Sequence, residues 1–154
     1  MELSAILKPE AVKVISTASS KKRLLQDIGD LAASVYGMNA PDVVDALQDR
    51  ENLGPTGVGN GVALPHARLA NVSSVVGAFI LLEKPIDFSS MDRQPVDVVF
   101  ALFAPEDAGV EHLKALALVS RTLREASVCS KLRANHDLAT LYAILTEAQS
   151  VKAA

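Results

Sequence analysis

Apolar positions recur along this chain at two different spacings, and the switches between them predict its elements. Leu24, Leu25, Ile28, Leu31, Ala32 and Val35 repeat at helical spacing, which puts them on one face of an α-helix. Ser19-Ser20 before Lys21-Lys22-Arg23 reads as the capped start of that helix and Gly37 as its stop. Ala40-Pro41-Asp42 opens a second helix with Val43, Val44 and Leu47 on its inner face, ending near Arg50-Glu51. Val75 to Leu82 and Val96 to Phe103 are almost continuously apolar and of strand length, the pattern of strands covered on both faces. Lys84-Pro85-Ile86-Asp87-Phe88 and Met91-Asp92-Arg93-Gln94-Pro95 supply turn chemistry between them. Past Ala104-Pro105-Glu106-Asp107 the spacing turns helical again. Leu113, Leu116, Ala117, Ser120 and Leu123 form one stripe with Val119 beside it, followed by helices from Ser127 to Arg133 and from Asp137 to Ala148. Helices, then strands, then helices predict a layered α/β or α+β domain with a central sheet and helices on both sides. Residues 1–149 are expected to form that single domain and 150–154 to fray.

Composition narrows the picture. At 154 residues the chain is long enough to bury one sizeable core, and 49% hydrophobic with 21% charged residues is ordinary for a globular protein. Aromatics are only 4%, so Leu, Val, Ile and Ala must build most of the core. The net charge of −3 and the lack of a basic, aromatic-interleaved stripe argue against nucleic acid as a partner. Cys129 is the sole cysteine, which rules out an internal disulfide and fits a reducing compartment; its expected place is a helix face. No apolar run reaches the about 18 residues of a membrane span, and Met1 to Ala11 carries no apolar leader core. A cytoplasmic protein, not embedded in a membrane, is the expectation.

The stretch Leu53-Gly-Pro-Thr-Gly-Val-Gly-Asn-Gly-Val-Ala-Leu-Pro-His66 breaks every periodicity. Gly54, Gly57, Gly59 and Gly61 are half of the chain's 8 glycines. A loop, with a short strand at Val62 to Leu64, is expected. Glycines let backbone N–H groups approach a ligand closely and form an anion nest. No Lys-Ser or Lys-Thr follows them as in a nucleotide P-loop, and the segment runs to Pro65 rather than into a helix as a dinucleotide fingerprint would. Pro65 fixes the backbone just ahead of His66, whose imidazole can accept a phosphoryl group on one nitrogen while the other N–H is held by an acceptor. Arg50, His112 and the start of the helix carrying His112 are candidate donors to that anion. On the residues alone, a phosphoryl-accepting and a merely structural His66 weigh evenly. His66, His112 and His136 have no i, i+4 pair among them and there is no CxxC, so no metal site is expected, nor any cofactor. No GxSxG elbow supports a serine hydrolase.

The segment from Arg50 to His66, with its Thr56-Gly-Val-Gly-Asn-Gly-Val-Ala-Leu-Pro-His66 core, resembles the active-site motif of phosphotransferase-system enzyme IIA proteins of the fructose/mannitol superfamily, and in particular their nitrogen-regulatory branch. Lys84-Pro-Ile-Asp-Phe88, Arg93 through Leu102 and Glu111-His-Leu-Lys-Ala-Leu116 resemble the same family, as does the start Met-Glu-Leu-Ser-Ala-Ile-Leu the nitrogen-regulatory branch. The resemblance implies a mixed-sheet α/β fold of the mannitol/fructose IIA type. It implies a phosphohistidine carrier in which His66 takes phosphoryl, on Nε2, from an HPr-type carrier charged in turn from phosphoenolpyruvate by an enzyme I. Arg50 and His112 match the family's arginine and second histidine. The nitrogen-regulatory branch implies target proteins regulated by phosphorylation state. The transport branch implies a IIB acceptor instead, and a non-covalent anion-binding regulatory module is the alternative from another class. Where family members commonly carry Ser, this chain has Pro55, which offers neither hydroxyl nor N–H; Thr56 and Asn60 are candidate phosphate donors nearby.

The remaining polar residues have plainer readings. Arg50 also stands where a cation favours a helix C-terminus. His136 is expected at the surface with Asn135 or Asp137 as a cap. Asp92 and Asp97 read as structural, and Arg121, Arg124, Lys131 and Arg133 as a solvated helical face.

Overall fold

A computed structural model describes the backbone of residues 1–153 and side chains to residue 147; the tail expected to fray, 150–154, lies outside the residues whose side chains are described. The first predicted helix is α2, Lys21–Tyr36, after a short α1, Leu3–Ile6. Ser20 caps α2 by accepting the Arg23 N–H at 3.1 Å, and Gly37 closes it in the left-handed region at φ 70°, where glycine carries no Cβ penalty. In α3, Ala40–Leu53, Asn39 accepts the Asp42 N–H at 3.0 Å and the helix runs to Leu53, beyond its expected end near Arg50-Glu51.

The sheet is mixed. Its strands are β1, Leu7–Ile15; β2, Gly57–Gly59; β3, Val62–Ala63; β4, His66–Leu69; β5, Val76–Ile86; and β6, Val96–Pro105. They run β1-β5-β6-β3-β2, and β4 also pairs with β6. β5 and β6 are antiparallel, while β1 lies parallel to β5 and both β3 and β4 lie parallel to β6. β6 thus serves as the common partner of β5, β3 and β4, and from Val98 to Ala104 it is fully buried, as its unbroken apolar run requires. β1 was not anticipated. It is an edge strand with Pro9 in it and a register shift between Leu7 and Val12, features that blunt a sheet edge and hide its periodicity.

Helices α4, Val110–Arg124, α5, Ala126–Arg133, and α6, Leu138–Ala153, follow. They pack on one another, with α4 against β6 and α6 against β1, whereas α2 packs on α3 and against β1 and β5. Asp137 caps α6, accepting from the Thr140 N–H and hydroxyl at 2.9 and 2.7 Å, and His136 beside it is exposed. The aliphatic core also takes in all of the chain's phenylalanines, Phe79, Phe88, Phe100 and Phe103. Cys129 is buried on α5.

The expected stripe of α4 needs correcting. His112, Ala115, Leu118, Val119, Thr122 and Leu123 face the core, while Leu113 is 65% exposed and Ala117 is exposed. Both sets of positions repeat at helical spacing, so periodicity alone could not choose between them. The sheet takes the set that begins with His112, and Leu113 and Leu116 are turned toward the outside.

Candidate functional site

The site grows from the chain's return out of the glycine-rich loop. The end of α3 is anchored first. Buried Glu51 accepts both the Thr56 N–H, at 3.1 Å, and the Thr56 hydroxyl, and its carboxylate pairs with Lys21 Nζ at 2.8 Å. Buried carboxylates need such partners. The Leu64 N–H then donates to the Thr56 carbonyl at 3.0 Å, closing the loop, and the Leu102 N–H donates to the Pro65 carbonyl at 2.9 Å, locking the exit onto β6. His66 follows as the first residue of β4, opposite Leu102.

This placement fixes the imidazole. His66 Nδ1 lies 2.8 Å from the Leu64 carbonyl oxygen, which can only accept, so Nδ1 carries the proton. Nε2 is left with its lone pair, and Arg50 Nε donates to it at 3.3 Å. Arg50 Nη1 donates to the Gly54 carbonyl at 2.8 Å, so the helix-end and site readings of this residue hold together. Burial, with the Arg50 charge as a lesser cause, pushes the His66 pKa below its ordinary value, against the opposing pull of the Leu64 hydrogen bond. His66 is therefore a neutral imidazole at neutral pH.

His112, in the first turn of α4, is buried, not solvated, and its ring stands edge-on to that of His66 with centroids 5.5 Å apart. Its pKa is lowered by burial first, then by His66 and Arg68. Arg68 Nε donates to its Nδ1 at 3.3 Å, and its Nε2 is buried with no hydrogen-bond partner. Arg50, His66, Arg68 and His112 together line an open recess of about 610 Å³ whose apolar walls include Leu53, Leu113 and Leu116. Leu53 and Leu113 are 85% and 65% exposed at its rim.

Arg50, His66 and His112 are thus brought together, while Thr56 and Asn60 are not part of the recess lining. Thr56 is buried and turned to Glu51. Asn60 sits at the tip of the β2–β3 hairpin, where its N–H donates to Asp92 and its carbonyl accepts from Arg133 Nη2. Arg133 is not merely solvated: it also grips both oxygens of Asp97 at 3.0 and 3.1 Å. Asp92, which accepts the Asn60 and Gln94 N–H groups, and Asp97 are the structural residues expected. Arg68 went unnoticed in the sequence. The clue was its place two residues after His66 on one strand, which sets both side chains on the same face. Among the described residues, no cluster of three or more His, Cys, Asp and Glu could hold a metal ion, and no helix is long and apolar enough to cross a membrane.

Comparison with known proteins settles the family. The model of the phosphoenolpyruvate-dependent sugar phosphotransferase system EIIA 2 family matches residues 5–148. The chain belongs to this EIIA 2 family. A nitrogen regulatory protein of Bradyrhizobium diazoefficiens is 46% identical over 145 residues, covering 94% of this chain and 95% of that one. The crystal structure of the nitrogen regulatory protein IIA-Ntr from Neisseria meningitidis superposes with a TM-score of 0.86 at 36% identity, over 93% of this chain and 98% of that one. The mannitol IIA of Escherichia coli, at 20% identity, shares the fold with a TM-score of 0.77 over 90% of this chain and 97% of that one. As a IIA component of the phosphotransferase system, this EIIA 2 chain works with phosphotransfer partners, and its expected mixed-sheet fold of the mannitol/fructose IIA type is the one observed.

Proposed function

We propose that this chain is a phosphohistidine carrier of the nitrogen-type phosphotransferase system, loaded on His66 Nε2 by an HPr-type protein and regulating partner proteins by its phosphorylation state. The observation that carries the reading is the fixed tautomer of His66. With Nδ1–H committed to the Leu64 carbonyl, the lone pair of Nε2 faces the recess side, where Arg50 reaches it. In the transfer, that lone pair forms the new N–P bond as the N–P bond of the donor phosphohistidine breaks and its imidazole keeps the electron pair. The proton stays on Nδ1, where the Leu64 carbonyl offsets the positive charge that the ring gains. Arg50 gives up its contact with Nε2 and turns its N–H groups to the phosphoryl oxygens, the electrostatic aid such a group needs. The unpartnered Nε2–H of His112 is a second donor. Exposed Leu53 and Leu113 at the rim suit the docking of a protein donor rather than a small molecule.

Cytoplasmic placement follows from this role, since the donors it needs are charged from phosphoenolpyruvate. The regulatory branch is preferred over transfer to a sugar-transport IIB because the relatives that are 38% to 46% identical over nearly the full chain are nitrogen regulatory proteins. The test is intact-mass analysis after incubation with phosphoenolpyruvate, enzyme I and the nitrogen-type HPr protein. One acid-labile, base-stable phosphate is expected, absent from His66→Ala. No covalent product, or an equally labelled His66→Ala variant, would overturn the reading in favour of non-covalent anion binding. Rapid onward transfer to a IIB domain would assign the transport branch instead.

A further inference from the structure

Arg68 is charged, stands at the recess, and has no task in the transfer just described. It reaches the other histidine: Nε donates to His112 Nδ1 at 3.3 Å. A guanidinium has no lone pair to offer and does not lose its proton in a protein. His112 Nδ1 must therefore be the acceptor, and the single proton of the neutral ring must sit on Nε2. That Nε2–H is buried and meets no acceptor in the unphosphorylated protein, an arrangement that a folded protein rarely leaves without a use. The neighbouring ring, 5.5 Å away between centroids and edge-on, is His66.

We infer that Arg68 is a positioning residue: it locks His112 in the Nε2–H tautomer, so that the ring offers a donor, and not a lone pair, to a phosphoryl group on His66. The inference rests on the phosphocarrier reading for its purpose, though not for its geometry. Without Arg68 the ring is free to move its proton to Nδ1, which leaves the Nε2 lone pair against anionic oxygens. With Arg68 in place, the cation at one end of the imidazole also polarises the N–H at the other, as happens along a chain of hydrogen bonds. The arrangement explains why a side chain exposed on β4 is aimed at a buried ring on α4. It also separates two roles for arginine in one recess. Arg50 meets the nitrogen that reacts, whereas Arg68 acts only through His112.

The first experiment needs no phosphoryl transfer. Long-range ¹⁵N–¹H correlation spectra of the imidazoles, taken where His112 is neutral, should show His112 as the Nε2–H tautomer alone in the wild type and in Arg68→Lys. Arg68→Ala should show a mixture of tautomers or the Nδ1–H form. Should Arg68→Ala not fold, Arg68→Met keeps the stem without a donor. A pure Nε2–H signal in the donor-free variant overturns the inference, whatever becomes of the carrier reading. The second experiment measures the lifetime of the phosphoryl group on His66. Arg68→Ala should shorten it several-fold, Arg68→Lys should restore it, and adding Arg68→Ala to His112→Ala should change nothing further. Full additivity of the two substitutions would place Arg68 on the phosphoryl group or its donor directly and sink the positioning role.

Discussion

The hairpin tip and the exit of the glycine-rich segment are built from similar parts and come out as opposites. At the hairpin tip, an arginine, two aspartates and backbone groups close on each other. Arg133 holds both oxygens of Asp97 and the Asn60 carbonyl, Asp92 takes the Asn60 N–H, and the Gly61 carbonyl accepts the N–H groups of Asp97 and Val98. At the exit, two arginines and two histidines leave capacity over. His66 Nε2 has a lone pair touched only by a long contact from Arg50, and His112 Nε2–H meets nothing. Saturated polar clusters stabilise a loop, whereas buried groups left with unmet hydrogen-bonding capacity are where a ligand can gain most. The difference teaches that Gly59 and Gly61 serve the geometry of the tip, while the unmet hydrogen-bonding capacity lies past the loop, at His66 and His112.

Substitutions that should act on one end and spare the other can break that contrast. The largest effect is expected from Arg50→Ala. Removing a donor aimed at the developing charge costs about 10²-fold in phosphoryl transfer rate, measured by the rise of phosphoprotein mass with time. The loss of its hydrogen bond to Gly54 costs only about 1 kcal/mol of stability, so the melting transition should stay close to that of the wild type. A transfer rate equal to wild type would move the reactive end elsewhere. Next in size is Gly61→Ala. Gly61 has φ 80°, and a Cβ there would stand 2.6 Å from Arg133 Nη2 and 3.0 Å from Asp97 Oδ1. The left-handed backbone alone costs a residue with a side chain about 1–2 kcal/mol, and the clamp must open to make room. Denaturant unfolding should show at least that loss, with transfer by the folded fraction kept near wild type. A variant that stays fully stable yet fails to accept phosphoryl would contradict the division.

How much of this could be read from residues alone differs between elements for physical reasons. α2 and α3 were legible because start signals and period agree: Ser20 caps α2, and Pro41 stands in the first turn of α3, whose actual cap, Asn39, went unread. β5 and β6 were legible because strands buried on both faces need unbroken apolar runs. β1 was hidden by Pro9 and its interrupted register, and β4, with its four residues His66–Leu69, is too short for alternation to stand out. Missing β4 also hid Arg68, since only a strand sets residues 66 and 68 on one face. On the residues alone His66 behind Pro65 weighed evenly between chemistry and structure, with Arg50 and His112 as candidate donors; family likeness gave all three their site roles. The burial of His112 was unreadable because the flanking Glu111 and Leu113 suggest a solvated turn, and α4 has two apolar faces to choose from.

Acid should separate the two ends without any mutation. His66 and His112 have lowered pKa values, chiefly through burial. As pH falls below the ordinary imidazole value, the unfolded chain takes up protons that the folded chain refuses, so stability declines until the lowered folded values are reached. Asp92 is lowered too, by the Asn60 and Gln94 N–H groups that donate to it. Its contribution is present above the ordinary carboxylate value and is lost only as pH falls through the lowered one. Stability against pH should therefore decline first from the exit and later from the tip. Replacing both histidines by Gln should flatten the upper part of the profile, and Asp92→Asn should alter only the lower part. An upper decline unchanged in the double Gln variant would show that other groups carry it.

The smallest effect, and the sharpest test of the contrast, is expected from Asn60→Gly. Asn60 occupies the centre of the motif and was a candidate phosphate donor, yet only its backbone is engaged, through the N–H to Asp92 and the carbonyl to Arg133. Its φ of 57° is one that glycine adopts freely. Glycine keeps both backbone bonds, relieves the left-handed strain and adds entropy to the unfolded chain, effects that oppose each other and leave stability within about 0.5 kcal/mol of wild type. Phosphoryl uptake should likewise be unchanged, because the side chain lies at the tip and not in the recess that holds His66. A tenfold slower uptake by a stably folded Asn60→Gly protein would mean that the amide reaches the phosphoryl group during transfer. The tip would then belong to the reactive end, and the glycines would serve chemistry directly instead of only shaping the turn that leads to it.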